Sequence, residues 1–444
     1  MTVKTRFAPS PTGMMHVGNT RTALIAWLFT RSQDGEFYLR IDDTDLERSK
    51  HEYEVAIEES LKWLGLDWDK KANQKDRRAL YAEKIDALIT AGRIYPCFET
   101  AEELALKRKT QLSRGKPPLY DRSALSLTAE EKEKFEAEGR KPHWRFKLEH
   151  KAIDWQDLIR GDVHFNGADM SDPVVIREDG SPLYHLCSVI DDIDFGITHI
   201  VRGEDHVSNT ATHVQMFEAL GAQPPHFAHL PLISDAEGGK LSKRLGSLSI
   251  YDLRDDEGLE PMALISLLAR LGTSDPIEPF GMITPLIESF DFGKFSRGTP
   301  KFDTEELYRL NAKILHDTPF SAISDRLKAL ELSALDEAFW LAVRPNLAKF
   351  SDITEWWRVA KGPVTPVIEE SAFIAQAAEL LPPIPWNTDT WSQWTTAIKD
   401  QTTRKGKALF MPLRQALTGM DHGPEMATLL LLIGPEKVKE RLSL

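Results

Sequence analysis

The chain opens as a strand, a loop that contains proline and glycine, and a helix. Val3–Phe7 alternates apolar and polar residues as a half-buried strand does, and Pro9, Pro11 and Gly13 stop it. After Gly18 the apolar residues recur at helical spacing. Free N–H groups and the dipole at the start of such a helix favour phosphate. The opening therefore predicts the first half of a Rossmann-like nucleotide-binding sheet.

The next stretch predicts a second strand and a crossover helix. Residues 37–41 alternate between two strand faces, so Asp42 falls at the carboxyl end of the strand, where open α/β sheets bind ligands. Residues 53–64 carry one apolar helical face, and Gly65 stands where a C-terminal cap belongs. Two consecutive units of strand and helix indicate a parallel sheet.

The later sequence indicates that this sheet is split. From about Tyr95 to Tyr184 the pattern is less regular, which favours an inserted domain. Strand patterns return at 198–202 and 227–230, and beyond Tyr251 nearly every periodic segment is helical. The predicted fold class is α/β, with a Rossmann-like parallel sheet split by an inserted α+β domain and followed by an all-α C-terminal region.

Length and composition limit the function classes. A chain of 444 residues exceeds the size of a single hydrophobic core, so we expect two or three domains. We find no N-terminal signal segment and no apolar run long enough to span a bilayer, which predicts a soluble cytoplasmic protein with no membrane partner. A net charge of −13 opposes indiscriminate nucleic-acid binding but allows a specific RNA partner at local basic clusters.

Two segments carry residues suited to phosphate chemistry. Gly18 lets phosphate approach the backbone, and His16 adds a donor whose charge can stabilise phosphorus as pyrophosphate leaves. Lys240 and Lys243 follow two glycines in a loop after the last predicted sheet strand, where compact ammonium groups can hold a triphosphate. Either segment alone is also compatible with an ordinary solvated loop. Their order along the chain predicts one shared ATP site.

These segments resemble the HIGH and KMSKS signatures of class I aminoacyl-tRNA synthetases. They stand here as His16-Val17-Gly18-Asn19 and Lys240-Leu241-Ser242-Lys243-Arg244, with Asn19 in place of the final histidine and Arg244 in place of the final serine. Further runs over nearly the whole chain are similar to bacterial-type glutamyl-tRNA synthetases: Arg6–Gly13, Arg40–Asp45, Tyr120–Arg122, Tyr184–Leu186 before Asp191-Asp192, His199–His206 and Lys405–Arg414.

The resemblance implies the class I synthetase fold and an order of domains. A catalytic domain is divided by an acceptor-binding insert and is followed by a helical stem-contact region and an anticodon-binding domain. The expected bounds are 1–94 and 184–236 for the two catalytic halves, 95–183 for the insert, 237–310 for the KMSKS loop and stem-contact region, and 311–444 for the α-helical anticodon-binding domain.

The resemblance also implies the substrates, which are L-glutamate, ATP with Mg²⁺, and tRNA. The α-carboxylate of glutamate attacks ATP to give glutamyl-adenylate, and the 3′-terminal ribose of tRNA then takes the glutamyl group. Bound tRNA is expected to be needed for productive activation. The catalytic residues are expected to be His16, Lys240 and Lys243, within an ATP site of Thr12, His16, Gly18, Asp205, Lys240, Ser242, Lys243 and Arg244.

A glutamate site needs cations for two carboxylates and an anion for the ammonium group, because no buried charge can be left unpaired. The resemblance assigns this site to Arg6, Ala8, Ser10, Asp42, Tyr184, Ser188 and Arg202. Asp42 replaces a longer glutamate of many relatives, so its ammonium contact is expected to run through water or a shifted backbone. Ser188 replaces an asparagine of some relatives, which removes an amide donor.

The two cysteines, Cys97 and Cys187, are too few for a disulfide framework, and we expect buried free thiols. Cys97 occurs where some relatives hold zinc through several cysteines. Because this chain has too few ligands there, we predict no zinc and no metal ion held by the protein itself.

We expect anticodon contacts near Arg344 and Asn346, on a protein that works as a monomer. A scaffold or dimerisation module is another interpretation of the helical C-terminal region. The alternative functions are a glutaminyl-tRNA synthetase, a shorter tRNA-modifying relative, and a catalytically silent tRNA-binding paralogue. Glutaminyl enzymes have a β-barrel anticodon region, so the predicted helical C-terminal region of this chain disfavours the first alternative. Whether glutamine tRNA is also a partner is left open.

Overall fold

The computed structural model of the chain describes residues 2–45, 47–235, 238–239 and 249–443. These residues form two compact units. The first contains Met1–Asp252, Leu268–Ile277 and Ile283–Asp303, and the second contains Leu253–Leu267, Glu278–Met282 and Thr304–Leu444.

The first unit begins with alternating strands and helices: β1 (Lys4–Phe7), α1 (Val17–Ser32), β2 (Glu36–Ile41), α2 (His51–Trp63) and β3 (Lys70–Asn73). The three strands are parallel in the order β1-β2-β3, with Arg6 opposite Tyr38. Asp42 follows β2 directly, and Gly65 has a φ of 70° just after α2, where its N–H donates to Lys62 O (3.0 Å). The predicted strand, loop and helix opening is confirmed.

The chain between 78 and 176 adds a second, antiparallel sheet to the first unit. Its elements are α3 (Arg78–Thr90), β4 (Ile94–Cys97), α4 (Ala101–Ser113), α5 (Ala129–Ala137), β5 (His143–Phe146), β6 (Ala152–Asp157), β7 (Gly161–Asn166) and β8 (Val174–Ile176). Strands β4, β5 and β8 form that sheet, whereas the hairpin β6–β7 joins strands that follow later in the chain. The domain bounds from the sequence stay a prediction, since one hairpin of the insert pairs outside it.

The parallel sheet resumes with α6 (Tyr184–Asp194), β9 (His199–Gly203), α7 (Val207–Ala219) and β10 (His226–Leu230). These strands lie in the order β7-β6-β10-β9, and β9 and β10 are parallel. The N–H of Thr198 donates to Lys4 O (2.9 Å), and the N–H of Lys4 donates to Thr198 Oγ1 (2.8 Å), which brings β9 beside β1. The predicted split of the sheet is confirmed.

Helix α1 is buried along most of its length because it packs beneath this sheet. Leu24, Ile25 and Leu28 are at most 1% exposed, and each fully buried aliphatic side chain contributes about 1.5–3 kcal/mol. This packing holds the N-terminus of α1 at the sheet edge where ligands bind.

After β10 every named regular element of the described residues is helical, so the predicted all-α C-terminal region is confirmed. The helices are α8 (Pro261–Arg270), α9 (Thr284–Glu288), α10 (Thr304–Asp317), α11 (Ser324–Ala329), α12 (Glu337–Val343), α13 (Ile353–Lys361), α14 (Ser371–Glu379), α15 (Thr390–Thr402), α16 (Lys407–Thr418), α17 (Met426–Ile433) and α18 (Pro435–Leu442).

Tryptophans build much of the core of the second unit. Trp340 and Trp394 are fully buried, and their indole N–H groups donate to Thr318 O (2.9 Å) and Ala377 O (2.8 Å). Packing rather than base stacking is therefore the use of these two rings. Among the described residues, no helix combines the length and the apolar character needed to cross a membrane.

Candidate active site

A cleft of about 500 Å³ lies at the carboxyl ends of β1, β2, β9 and β10. The loop after β1 is held against the end of β2, because the N–H of Asp42 donates to Pro9 O (2.9 Å). Open parallel sheets bind ligands at this edge. Both parts of the split sheet contribute to the cleft, with Arg6 and His16 from the first part and Arg202 and Asp205 from the second.

His16 caps the N-terminus of α1 with its side chain. Its Nδ1 accepts the N–H of Gly18 (3.1 Å), so the proton of the neutral ring lies on Nε2. Although the ring reaches solvent, partial desolvation in the cleft lowers the pKa of His16 and favours this neutral form. The geometry therefore leaves a neutral N–H donor for an anion at the positive end of the helix dipole.

Gly18 and Asn19 explain how the imidazole reaches this position. A Cβ at Gly18 would lie 3.1 Å from both Cε1 and Nδ1 of His16, so glycine leaves room for the ring above the first turn. Oδ1 of Asn19 accepts the N–H of His16 (2.9 Å). The asparagine that departs from the HIGH pattern thus closes the helix terminus.

Arg202, on β9, is a buried cation with uncharged hydrogen-bond partners. It is 5% exposed, and it donates to Thr210 Oγ1 (2.6 Å), the Tyr184 hydroxyl (3.3 Å) and His229 Nε2 (3.3 Å). Burial lowers the pKa of Arg202. Among the described residues no carboxylate forms an ion pair with it. A guanidinium in this situation favours an incoming anion, because a buried charge without a counter-charge is costly.

Arg40, on β2, is a buried cation that, unlike Arg202, is surrounded by carboxylates. Its Nε donates to Asp42 Oδ1 (2.7 Å), its Nη1 donates to Asp192 Oδ1 (2.8 Å), and Asp191 lies 3.7 Å away. Arg6 also pairs with Asp192, at 3.0 Å. Burial opposes the charge of Arg40, but Asp42 and Asp192 hold its pKa well above the ordinary value. The protein itself neutralises this guanidinium.

Asp42 combines burial with a bidentate contact to Arg40. Burial raises the pKa of Asp42 to about 6, although the charge and hydrogen bonds of Arg40 oppose that rise. Because Arg40 Nη2 also donates to Asp42 Oδ2 (3.1 Å), both carboxylate oxygens are already engaged. An ammonium group bound there would share these oxygens with Arg40.

Most of the other predicted site residues reach the same cleft. Ala8, Ser10, Tyr184 and Asp205 line it, and the last is half-exposed. Asp42 and Asp205 are the two carboxylates among the described lining residues. Because four arginines also line it, the cleft has more cationic than anionic side chains.

Two predicted residues are not among the described residues that line the cleft. Thr12 is exposed on the loop. Ser188 is completely buried, and its hydroxyl accepts Arg40 Nη2 (3.1 Å). The position of Ser188 is therefore behind Arg40, one contact away from Asp42.

Four predicted ATP-site residues lie outside the described residues: Lys240, Ser242, Lys243 and Arg244. The described chain resumes at Ser249, which forms an antiparallel bridge with His16. The N–H of Ile250 also donates to Met15 O (2.8 Å). Directly after the lysine segment, the chain therefore pairs with the histidine loop.

Sequence reasoning assigned no role to Arg40, Asp192 or Arg21, although Arg40 and Asp192 belong to runs that carry the resemblance. Arg40 stands between Leu39 and Ile41 in a buried strand, and Asp192 follows Asp191 in a buried helix, so a charge in a buried element is the signal that identifies both. Arg21 lines the cleft and donates to Pro231 O (2.9 Å) and Leu271 O (2.8 Å). Burial lowers its pKa to about 10, so it is still a cation at neutral pH.

Both thiols are buried and free, as predicted. Cys97, Glu99 and His143 bring possible ligand atoms within 4.8 Å of one another. However, the Tyr120 hydroxyl donates to Glu99 (2.7 Å), and burial raises the pKa of Cys97 to about 11. The three candidate ligands are one short of the four that structural zinc sites use.

The second unit contains its own lined pocket, of about 320 Å³. Trp391 and Phe410 contribute rings whose centroids lie 6.2 Å apart, and Lys407 and Arg414 contribute cations. Of the residues expected near the anticodon, Arg344 donates to Thr318 O (2.9 Å) and Asn346 is exposed. Neither is among the described residues that line this pocket.

Comparison with protein families gives two matches along the chain. Residues 2–309 match the family described as tRNA synthetases class I (E and Q), catalytic domain. Residues 341–444 match the anticodon binding domain family.

Individual relatives match over nearly their full length. The "Glutamate--tRNA ligase" of Azospirillum brasilense is 55% identical over 443 residues, covering 100% of this chain and 99% of that protein. The "Glutamate--tRNA ligase 1" of Maricaulis maris is 54% identical over 440 residues, covering 99% of each. A crystal structure of a glutamate tRNA ligase from Elizabethkingia meningosepticum in complex with its amino acid matches with a TM-score of 0.85 at 29% identity, over 100% of this chain and 98% of that one.

Proposed function

The chain belongs to the class I glutamyl-tRNA synthetases and ligates glutamate to tRNA, and from this premise we propose which of its residues perform each part of the reaction. Glutamate and ATP meet in the cleft at the carboxyl ends of the parallel strands. The observation that carries the assignment is the buried guanidinium of Arg202, which lacks an ion-pair partner among the described residues.

Arg202 binds the side-chain carboxylate of glutamate. At neutral pH bound glutamate brings one net negative charge, which can compensate the guanidinium of Arg202. Arg21, the other buried cleft guanidinium without a carboxylate partner among the described residues, donates instead to the carbonyls of Pro231 and Leu271. Glutamine has the same shape without that charge and would leave Arg202 unpaired. Tyr184, which already accepts a hydrogen bond from Arg202 (3.3 Å), lies beside this carboxylate.

Asp42 and Arg6 bind the other end of the amino acid. Asp42 accepts the ammonium group, and Arg6 contacts the α-carboxylate. Because Arg6 is already paired with Asp192 (3.0 Å), its attraction for the α-carboxylate is moderated. That carboxylate stays nucleophilic enough to attack the α-phosphate of ATP. Ala8 and Ser10 border this end of the cleft.

His16 and the N-terminus of α1 stabilise the phosphate charge that develops during this attack. Lys240 and Lys243 act on the same triphosphate, which is supported by the bridge between His16 and Ser249. Thr12, Gly18, Asp205, Ser242 and Arg244 complete the ATP site. Mg²⁺ enters bound to ATP, consistent with the absence of a multi-carboxylate cage among the described lining residues.

The terminal ribose of tRNA then takes the glutamyl group from the adenylate, with no covalent enzyme intermediate. A base of the tRNA anticodon stacks in the pocket of Trp391 and Phe410. Phe410 is 37% exposed, Lys399 lies 5.4 Å from its ring centre, and aromatic rings beside cations suit an unstacked base. Arg344 and Asn346 remain candidates for further anticodon contacts.

The finer properties of the enzyme are part of the same proposal. It works as a cytoplasmic monomer and holds no zinc. Glutamate tRNA is its partner, and charging assays with purified glutamate and glutamine tRNAs test whether it also accepts the second.

Pyrophosphate exchange tests the proposed chemistry. With glutamate, ATP and tRNA the exchange is expected to be readily measured, to be weak without tRNA, and to collapse in Lys243→Ala. Lys134→Ala, at an exposed lysine of α5, is the matched control and should exchange as the unmodified enzyme does. Equal exchange with glutamine would support a glutaminyl enzyme instead, and exchange under no condition would support a silent paralogue.

A further inference from the structure

Two buried side chains lie directly behind Arg202, on the side away from Tyr184. Asp157 ends β6 and is 2% exposed, and His229 lies on β10 and is fully buried. The two strands are paired in parallel with Phe227 opposite Asp157. His229 contacts Asp157 through Nδ1 (2.5 Å) and Arg202 through Nε2 (3.3 Å). The imidazole therefore connects a carboxylate of the insert to the guanidinium of the cleft.

The hydrogen bonds of Asp157 define which nitrogen of His229 carries the proton. Oδ1 accepts the backbone N–H groups of Ile159 (3.1 Å), Arg160 (3.0 Å) and His229 (3.2 Å). Burial opposes the ionisation of Asp157, but its hydrogen bonds with His229 and the backbone hold its pKa below the ordinary value. An ionised carboxylate only accepts, so His229 must donate from Nδ1 and keep a lone pair on Nε2.

That lone pair orients Arg202. Arg202 Nε donates to His229 Nε2, and Arg202 Nη2 donates to Thr210 Oγ1 (2.6 Å), which itself lies 2.8 Å from His229 Nε2. These contacts engage one edge of the planar guanidinium. Nη1 is left to point toward Tyr184 and the cleft.

The imidazole also keeps the carboxylate of Asp157 out of direct contact with Arg202. Arg40 shows the alternative, since direct pairing with Asp42 and Asp192 neutralises it. At Arg202 the neutral ring of His229 orients the guanidinium without neutralising it, so the charge of Arg202 stays available to a ligand. His213 Nδ1 lies 3.5 Å from Arg202 Nη1. Burial and the nearby Arg202 charge lower the pKa of His213, which keeps this contact neutral as well.

We propose that Asp157 and His229 are positioning residues for Arg202, which aim its guanidinium at the side-chain carboxylate of glutamate and so contribute to the preference for glutamate over glutamine. This inference rests on the proposed role of Arg202. It assigns to β6, the strand that carries Asp157 and pairs with β10, a part in amino-acid selection.

Asp157→Asn tests the hydrogen-bonded arrangement of Asp157, His229 and Arg202 with an isosteric change. The new amide can donate toward His229 Nδ1, which moves the ring proton to Nε2 and sets it against the Arg202 N–H. The KM for glutamate is expected to rise about tenfold or more, as for other groups that orient a ligand-binding side chain. The KM for ATP should not change, and the ratio of kcat/KM for glutamate to that for glutamine should fall by a similar factor.

Asp172→Asn is the matched control for a merely structural effect. Asp172 is 1% exposed, lies in the same unit, and accepts hydrogen bonds from Tyr95 (2.6 Å) and the Leu148 N–H (2.9 Å). It is expected to lower the melting temperature without changing the ratio of kcat/KM for the two amino acids. Wild-type glutamate KM and ratio in a folded Asp157→Asn enzyme would overturn the inference.

A second pair of variants applies even if Asp157→Asn does not fold. His229→Gln keeps an acceptor near the position of Nε2, whereas His229→Leu keeps only the volume. The inference requires a glutamate KM at least several-fold lower in His229→Gln than in His229→Leu, and equal values would contradict it. Arg202→Met separates the role of Arg202 from the positioning role of Asp157 and His229. An unchanged glutamate KM in that variant would contradict the proposed role of Arg202 itself.

Discussion

Arg40 and Arg202 are two buried guanidiniums of the same unit, and they differ in what surrounds them. Arg40 contacts Asp42 and Asp192 directly, at 2.7 and 2.8 Å. Arg202 has hydroxyl and imidazole partners only among the described residues. The direct carboxylate partners of Arg40 make it part of the structure, whereas Arg202, which has none among the described residues, is available to a ligand. Removing each charge should therefore have opposite consequences for stability and for activity.

The largest effect is expected for Arg202→Met. Losing one partner of a buried charge pair costs about 2–5 kcal/mol of binding, which lowers kcat/KM for glutamate on the order of 30-fold to several thousand-fold. The variant should melt at or above the temperature of the unmodified enzyme, because an unpaired buried charge is gone. Steady-state pyrophosphate exchange and a melting curve measure the two parts. A large loss of stability would erase the distinction between the two arginines.

Arg40→Met should reverse this pattern. The variant leaves the carboxylates of Asp42, Asp191 and Asp192 without their shared cation, and breaking a buried pair in this way costs about 3–5 kcal/mol of unfolding free energy. Urea denaturation measures it. The control is Arg309→Met, which removes a partly exposed partner of Glu306 and should lower the unfolding free energy far less than Arg40→Met does. Equal losses in the two variants would mean that Arg40 has no special structural role.

A pH series sharpens the comparison, because Asp42 titrates whereas neither arginine does. The pKa of Asp42 is raised to about 6 by burial, so its carboxylate is present above pH 6 and is lost as the pH falls through that value. The KM for glutamate should then rise by up to about tenfold per pH unit below 6. The KM for ATP should not follow. In Asp42→Asn the KM for glutamate should be high at every pH, without this inflection.

The smallest effect on activity is expected at Cys97. Like the side chains around Arg40, the cluster of Cys97, Glu99 and His143 has hydrogen-bond partners within the protein. The Tyr120 hydroxyl contacts both Glu99 and Cys97, and the prediction of no zinc is tested here. Elemental analysis of the purified enzyme should find zinc far below one ion per chain, and a chelator should leave exchange unchanged. Cys97→Ser should keep exchange activity within about twofold, since the cluster lies outside the cleft. Stoichiometric zinc would overturn the prediction.

The local architecture followed directly from sequence patterns. Alternation in 3–7 and 37–41 predicted β1 and β2, and helical spacing predicted α1, because these periods depend only on neighbouring residues. The same reasoning placed Asp42 at the end of β2 and His16 before α1. It did not identify the path of the hairpin β6–β7, whose strands alternate in the same way whichever sheet they join.

By itself the sequence determined the order of strands and helices, the glycine turn before α1, and the two signature segments. Only the tertiary structure decided which charges meet. Arg6 and Asp192 are 186 positions apart, and Asp157 and His229 are 72 apart, so no local period relates them. Whether a buried arginine is neutralised or left for a ligand depends on side chains that packing brings within about 3 Å, and chain order does not encode that distance.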